Sequence, residues 1–152
     1  MNTQKRFELR ISDLDNAAHI SQTWATHTIS ILDTDFVKNT TGVLDSFYEQ
    51  RIPQPSLNLS LHRCYFDDVT PKDDFGLVLA ELDDIQSILK FTEKLQFNHK
   101  LLVHCSAGIS RSTAVACGIL CQHGSLTKEA LETICIIRKG AYPNDHILWM
   151  KL

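Results

Sequence analysis

No apolar run in these 152 residues reaches the ~18 that a membrane-spanning helix needs, so no bilayer crossing is expected. No Lys/Arg run marks a membrane-surface patch, and no basic stripe of the kind that tracks nucleic acid is present. Fifteen Lys and Arg stand against eighteen Asp and Glu, a net charge of −3, so any anion site must be local. There is no CxxC pair, and the five cysteines (Cys64, Cys105, Cys117, Cys121 and Cys135) are odd in number. That argues for reduced thiols inside a cell and against a disulfide scaffold. The N-terminal segment lacks the apolar stretch of a secretory signal, so the expected location is the cytoplasm, with export by a signal-independent route left open. Internal repeats and low-complexity tracts are also missing. With 43% hydrophobic and 22% charged residues, the chain is neither disordered, collagen-like nor a coiled coil. Its length fits one domain, taken as 1–152, that buries about two thirds of its unfolded surface.

Residues 7–11 alternate as a first strand, and Ser12 reads as the N-cap of a helix running to Thr26. His27 to Leu32 is a short, β-rich buried strand. Residues 33–56 carry Gly42, Pro53 and Pro55, with a helical turn expected at 43–49. Leu57, Leu59 and Leu61 alternate with polar residues in a strand reaching Phe66, and residues 67–74 form an acidic loop. A long helix is expected over 77–97, a compact strand over 100–104 and a helix of small residues over 111–122. Thr127 reads as the N-cap of a helix to Lys139, and Pro143-Asn144 opens a last short helix. Strands alternating with helices predict an α/β fold with a central, mostly parallel sheet flanked by helices. In such sheets ligands bind beyond the carboxyl ends of the strands, which singles out Val103-His104-Cys105.

The segment from His104 to Ser112 reads His-Cys-Ser-Ala-Gly-Ile-Ser-Arg-Ser. A strand, a small loop and a helix N-terminus in direct succession aim backbone N–H groups and the helix dipole at one spot, which suits an oxyanion. Gly108 allows close approach or a positive φ. Ser106, Ala107, Gly108, Ile109 and Ser110 are the expected phosphate loop, and Arg111 is placed to bind two phosphate oxygens as a fork. Cys105, at the floor of the same anion hole, is expected to have a lowered pKa and to serve as nucleophile. Chance assembly of this His-Cys-x2-Gly-x2-Arg-Ser register has a probability on the order of 10⁻⁴ or less.

His-Cys-x5-Arg-Ser resembles the signature loop of the cysteine-dependent protein tyrosine phosphatases. Length and layout are most similar to the compact dual-specificity branch, in its bacterial form. Phe66-Asp67-Asp68-Val69 resembles the family's general-acid loop, and Tyr142-Pro143-Asn144 resembles the Pro-Asn that precedes its last helix. The resemblance implies a phosphatase acting through a cysteinyl-phosphate, with a carboxyl group that protonates the leaving oxygen and then activates water. Four carboxylates are candidates: matching strand ends favours Asp68, with Asp67 next, whereas counting back by the commoner spacing favours Asp73 or Asp74. His104 is expected to orient the loop, Ser112 to hydrogen-bond the Cys105 sulfur, and Asn144 to cap the last helix and brace the site. No metal and no cofactor is expected, since Arg111, the loop amides and the helix end supply positive charge.

The expected substrate is a phosphorylated protein or peptide, phosphotyrosine first because phenoxide leaves readily, with phosphoserine or phosphothreonine open. No nucleic-acid or membrane partner is expected, and the chain is expected to be a monomer. The rival readings are a phosphatase-like binding module and a phosphatase for a non-protein ester such as a phosphoinositide or an RNA 5′ phosphate. Rhodanese-type sulfur transfer is disfavoured by the Arg-Ser and the upstream Asp. Cys64 is read as a buried strand residue, although some relatives pair such a cysteine with the nucleophile. Cys117 and Cys121 are read as core residues of one helix face, not as metal ligands with His123.

Overall fold

The computed structural model describes residues 7–34, 50–70, 77–148 and 150. Four strands, β1 (Glu8–Ser12), β2 (His27–Leu32), β3 (Ser60–Tyr65) and β4 (Lys100–His104), form one parallel sheet in the order β1-β4-β2-β3. The helices are α1 (Leu14–Thr23), α2 (Leu82–Thr92), α3 (Arg111–Gln122), α4 (Thr127–Ile137) and α5 (Asp145–Leu148). The fold is the expected α/β type. The two inner strands are the apolar runs: Leu101, Leu102 and Val103 of β4 and Ile29, Ile31 and Leu32 of β2 are all buried. Strands covered on both faces need continuous apolar sequence, and each such side chain contributes about 1.5–3 kcal/mol by leaving water. Helix α3 packs on β4, β1, α2, α4 and α5, which explains its run of small residues.

Register positions the site. Ile29 pairs with Val103 and Ser30 with His104, where β4 ends; β2 runs two residues further, so Asp33 leaves it beside the loop that begins at Cys105.

Several expected boundaries change for identifiable reasons. The N-cap of α1 is Asp13, not Ser12, because the Asp13 carboxylate accepts the Asn16 N–H at 3.0 Å, and the helix stops at Thr23. Leu57 is fully exposed and lies in a turn, so the strand begins only at Ser60. Helix α2 begins at Leu82 rather than residue 77. Val78 is held outside the helix by Asp67: its N–H donates to Asp67 Oδ2 at 2.8 Å and its carbonyl accepts the Asp67 N–H at 2.7 Å. The N-cap of α4 is Leu126, with Thr127 already inside the helix. The expected turn at 43–49, Gly42, and the carboxylates Asp73 and Asp74 lie outside the described residues. No helix among the described residues is long and apolar enough to cross a membrane.

Asp67 is the knot of this end of the sheet. Besides Val78, its oxygens accept the Thr34 N–H at 3.1 Å and the Thr34 hydroxyl at 2.8 Å. Burial alone would raise its pKa, but the hydrogen bonds from Val78 and Thr34, with the charge of Arg111, hold it below the ordinary carboxylate value. A depressed folded pKa stabilises the protein above the unfolded value of about 4 and stops doing so as pH falls through the folded one. Asp67→Ala should therefore lose about 1–3 kcal/mol at pH 7 through unsatisfied buried donors, and less near pH 3, as read from urea midpoints at the two pH values.

Candidate active site

Residues 105–110 turn from the end of β4 into α3, and each carbonyl from Ser106 to Ser110 accepts a hydrogen bond from outside the loop. The Ser106 carbonyl accepts the Leu14 N–H at 3.0 Å. Arg138 donates from Nη2 to the Ala107 carbonyl and from Nε to the Gly108 carbonyl, both at 3.0 Å. The Ile109 carbonyl accepts the Tyr142 N–H at 2.9 Å and the Ser110 carbonyl the Asn144 N–H at 3.0 Å. In a trans peptide the N–H of the next residue points opposite to the carbonyl, so the N–H groups of residues 107–111 face into the loop. That of Gly108 reaches Cys105 Sγ at 3.3 Å. Gly108 has φ +71°, and a Cβ there would meet the Ser12 backbone at 2.6 Å and Arg138 Nη2 at 2.9 Å, so glycine is required on both counts.

Cys105 is buried at the centre, with Sγ 3.1 Å from Ser112 Oγ. The Arg111 side chain is also buried. Its Nη1 donates to the Phe66 carbonyl at 2.8 Å and pairs with Asp33 Oδ1 at 2.7 Å, and its Nη2 donates to Ser106 Oγ at 3.2 Å. Ser106 Oγ in turn donates to Asp33 Oδ2 at 3.0 Å, closing a ring of three side chains. The Arg111 Nε–H is buried without a hydrogen-bond partner. The loop thus presents inward N–H groups, one guanidinium edge and a sulfur atom, a set suited to an oxyanion with an electrophilic centre.

The two adjacent carboxylates separate here. Asp67 is fully engaged with Thr34 and Val78, whereas Asp68 is exposed over the end of the loop. Asp68 Oδ1 accepts from Ser110 Oγ at 2.7 Å and from Asn144 Nδ2 at 2.9 Å. Asn144 also donates to the Val69 carbonyl at 3.2 Å, and its Oδ1 accepts the Ile147 N–H at 3.1 Å as the cap of α5. One residue therefore ties three segments together: its side chain joins the acidic loop to the last helix, and its backbone N–H holds the phosphate loop.

His104 bonds Ser30 Oγ through Nε2 and the Cys105 carbonyl through Nδ1. A carbonyl only accepts, so Nδ1 carries a proton; in the neutral ring that burial favours, Nε2 accepts from the Ser30 hydroxyl. Burial pushes the His104 pKa down to about 4. Cys64 lies buried in β3 with Sγ 3.8 Å from the Ser30 carbonyl, and burial pushes its thiol pKa far up. Cys117 is buried in the core, pushed up to about 12 by burial and by Cys121. No group of three His, Cys, Asp or Glu among the described residues is arranged to hold a metal ion.

Sequence reasoning missed Asp33 and Arg138. The strand-end rule, applied to β2 as well as β4, would have pointed to Asp33. Arg138 follows α4 by a single position, where a basic residue is ordinary, so its role in holding the loop had no local signal.

This fold is that of the cysteine-dependent tyrosine and dual-specificity phosphatases. The chain superposes on human DUSP28 with a TM-score of 0.58 at 20% identity, covering 91% of this chain and 85% of that one. It superposes on the human tyrosine phosphatase-like serine/threonine/tyrosine-interacting protein with a TM-score of 0.62 at 19% identity, covering 92% and 85%. In sequence, it is 43% identical over 72 residues to the tyrosine-protein phosphatase yvh1 of Schizosaccharomyces pombe. That match spans 41% of this chain and 22% of the yeast protein. No protein-family model matches the chain. The structural likeness is one of fold, and the sequence match to the yeast phosphatase covers less than half of this chain; the relatives named come from fission yeast and human.

A histidine whose folded pKa lies below its unfolded value stabilises the protein above pH ~6.5 and loses that contribution as pH falls toward its folded pKa. Folding stability should thus drop between pH ~6.5 and pH ~4 by on the order of 3 kcal/mol from His104, with His27 and His62, also lowered, acting in the same sense. His104→Gln should flatten the curve in that window, as measured by denaturant melts at half-unit pH steps.

Proposed function

We propose that this protein is a phosphomonoester hydrolase acting on phosphoproteins, phosphotyrosine first, through a cysteinyl-phosphate on Cys105. The observation that carries the reading is a buried cysteine sulfur inside a loop whose amide N–H groups face inward beside the Arg111 guanidinium. The substrate phosphate seats on the N–H groups of residues 107–111 and on the Nε edge of Arg111. The Cys105 thiolate attacks phosphorus, the bond to the ester oxygen breaks, and Asp68 supplies the proton that this oxygen takes up. Water then attacks the cysteinyl-phosphate, giving a proton to Asp68, while the Ser112 hydroxyl donates to the departing sulfur. The charge required is supplied by Arg111 and the amides, so the reaction needs no metal.

Asp68 is preferred as the acid because Asp67 is buried, triply bonded and held ionised. The loop residues between Cys105 and Arg111 include no lysine, which supports a protein substrate over a polyphosphorylated lipid. PTPMT1, solved in complex with PI(5)P, shares this fold with a TM-score of 0.54, so an inositol lipid belongs in the substrate panel. The reduced-thiol pattern supports action in the cytoplasm.

The test is phosphate release, with chelator present, from an aryl phosphate, a phosphotyrosine peptide and PI(5)P. Cys105→Ser should lose turnover by at least about 10³-fold while still binding phosphopeptide. Arg111→Lys should fall about 10²-fold or more despite keeping its charge, because the fork is lost. Asp68→Ala should fall about 10²–10⁴-fold on the peptide and less on an aryl phosphate with a good leaving group. Phosphopeptide binding without release by the wild type would replace the enzyme reading with that of a binding module.

A further inference from the structure

Asp33 is not part of the reaction scheme, yet it sits on the phosphate loop. Its two oxygens contact Arg111 Nη1 at 2.7 Å and Ser106 Oγ at 3.0 Å. Its place is enforced from both sides. The residue before it ends β2, whose Ser30 pairs with His104 next to Cys105. The residue after it, Thr34, is fastened by backbone and hydroxyl to Asp67, which is itself fastened to Val78. The backbone at Asp33 is therefore fixed on both sides, and its carboxylate is held by Arg111 and Ser106. Its side chain is still 39% exposed, so it faces solvent and any group standing beside a bound phosphate. Asp68 adds a second exposed carboxylate at the same mouth.

We propose, resting on the phosphatase reading above, that Asp33 is a specificity-determining residue: it selects phosphomonoesters flanked by neutral or cationic groups over those flanked by further anions. Arg111 attracts the phosphate itself through its buried Nε edge, while Asp33 takes up the opposite Nη1 contact and offers a negative charge to the surroundings. A second anion carried within a few ångströms of the phosphate meets that charge in a half-hydrated setting. Coulomb interaction at such distances is worth about three- to tenfold per charge. A lysine or arginine flank gains by a similar factor.

The experiment compares two phosphotyrosine peptides, alike except for Lys or Glu on either side of the phosphotyrosine, with a small aryl phosphate as reference. The wild type should favour the Lys peptide in kcat/KM by at least about tenfold, and ~0.5 M salt should compress that ratio. Asp33→Asn should cut the ratio at least about threefold, and Asp33→Glu should keep most of it. A wild-type ratio near one overturns the proposal. So does an unchanged ratio in Asp33→Asn, whatever its absolute rate, since a residue that only orients Arg111 would scale both peptides alike. Failure of the wild type to release phosphate even from the aryl phosphate would instead overturn the phosphatase reading, and this proposal with it.

Discussion

Five successive carbonyls, from Ser106 to Ser110, are each bound from outside the loop, and the rest of the site depends on this. A backbone of trans peptides has no choice but to turn its amides inward once its carbonyls are claimed outward. The partners come from distant parts of the chain: the start of α1, the end of α4 and the segment before α5. A loop of six residues is thus held by contacts spread over more than a hundred residues. Because the donors belong to rigid elements, the hole is organised before any ligand arrives.

Asp67 and Asp68 illustrate how one residue of register separates a buried carboxylate from an exposed one. Successive side chains leaving a strand point to opposite sides. Here that sends the Asp67 carboxylate inward to Thr34 and Val78, and Asp68 outward over Ser110 and Asn144. The buried member locks the exit of β2 to the lead-in of α2, and that lock in turn holds Asp33 against Arg111. The acid-loop candidate and the arginine are therefore set by the same piece of packing. The overall charge of −3 supplies no attractive field for an anion, so the positive potential must come from the inward amides and one buried guanidinium.

Much of this was legible in the residues. The short β-rich run at 27–32 and the compact apolar run at 100–104 read as buried strands, and His104 to Ser112 encoded a strand, a loop and a helix start in consecutive positions. These are local properties: hydrophobic runs, small residues where the backbone turns, and a glycine where a Cβ has no room. Boundaries set by a distant partner were not legible. Nothing in residues 77–81 says that a carboxylate 11 positions before Val78 will hold it out of the helix, and the leucines at 57 and 59 alternate as a strand would although Leu57 lies in a turn.

The sequence alone determined the α/β fold, the sulfur, the arginine and the loop between them, because each follows from interactions a few residues apart. Only the tertiary structure decided that Asp68 faces the loop while Asp67 turns away, that burial lowers the His104 pKa, and that Asp33 and Arg138 contact the loop at all. The reason is physical: these depend on which strand ends lie side by side and on which carbonyls need donors. Both are set by parallel pairing of segments 74 residues apart (Ser30 with His104), and no local periodicity carries that information.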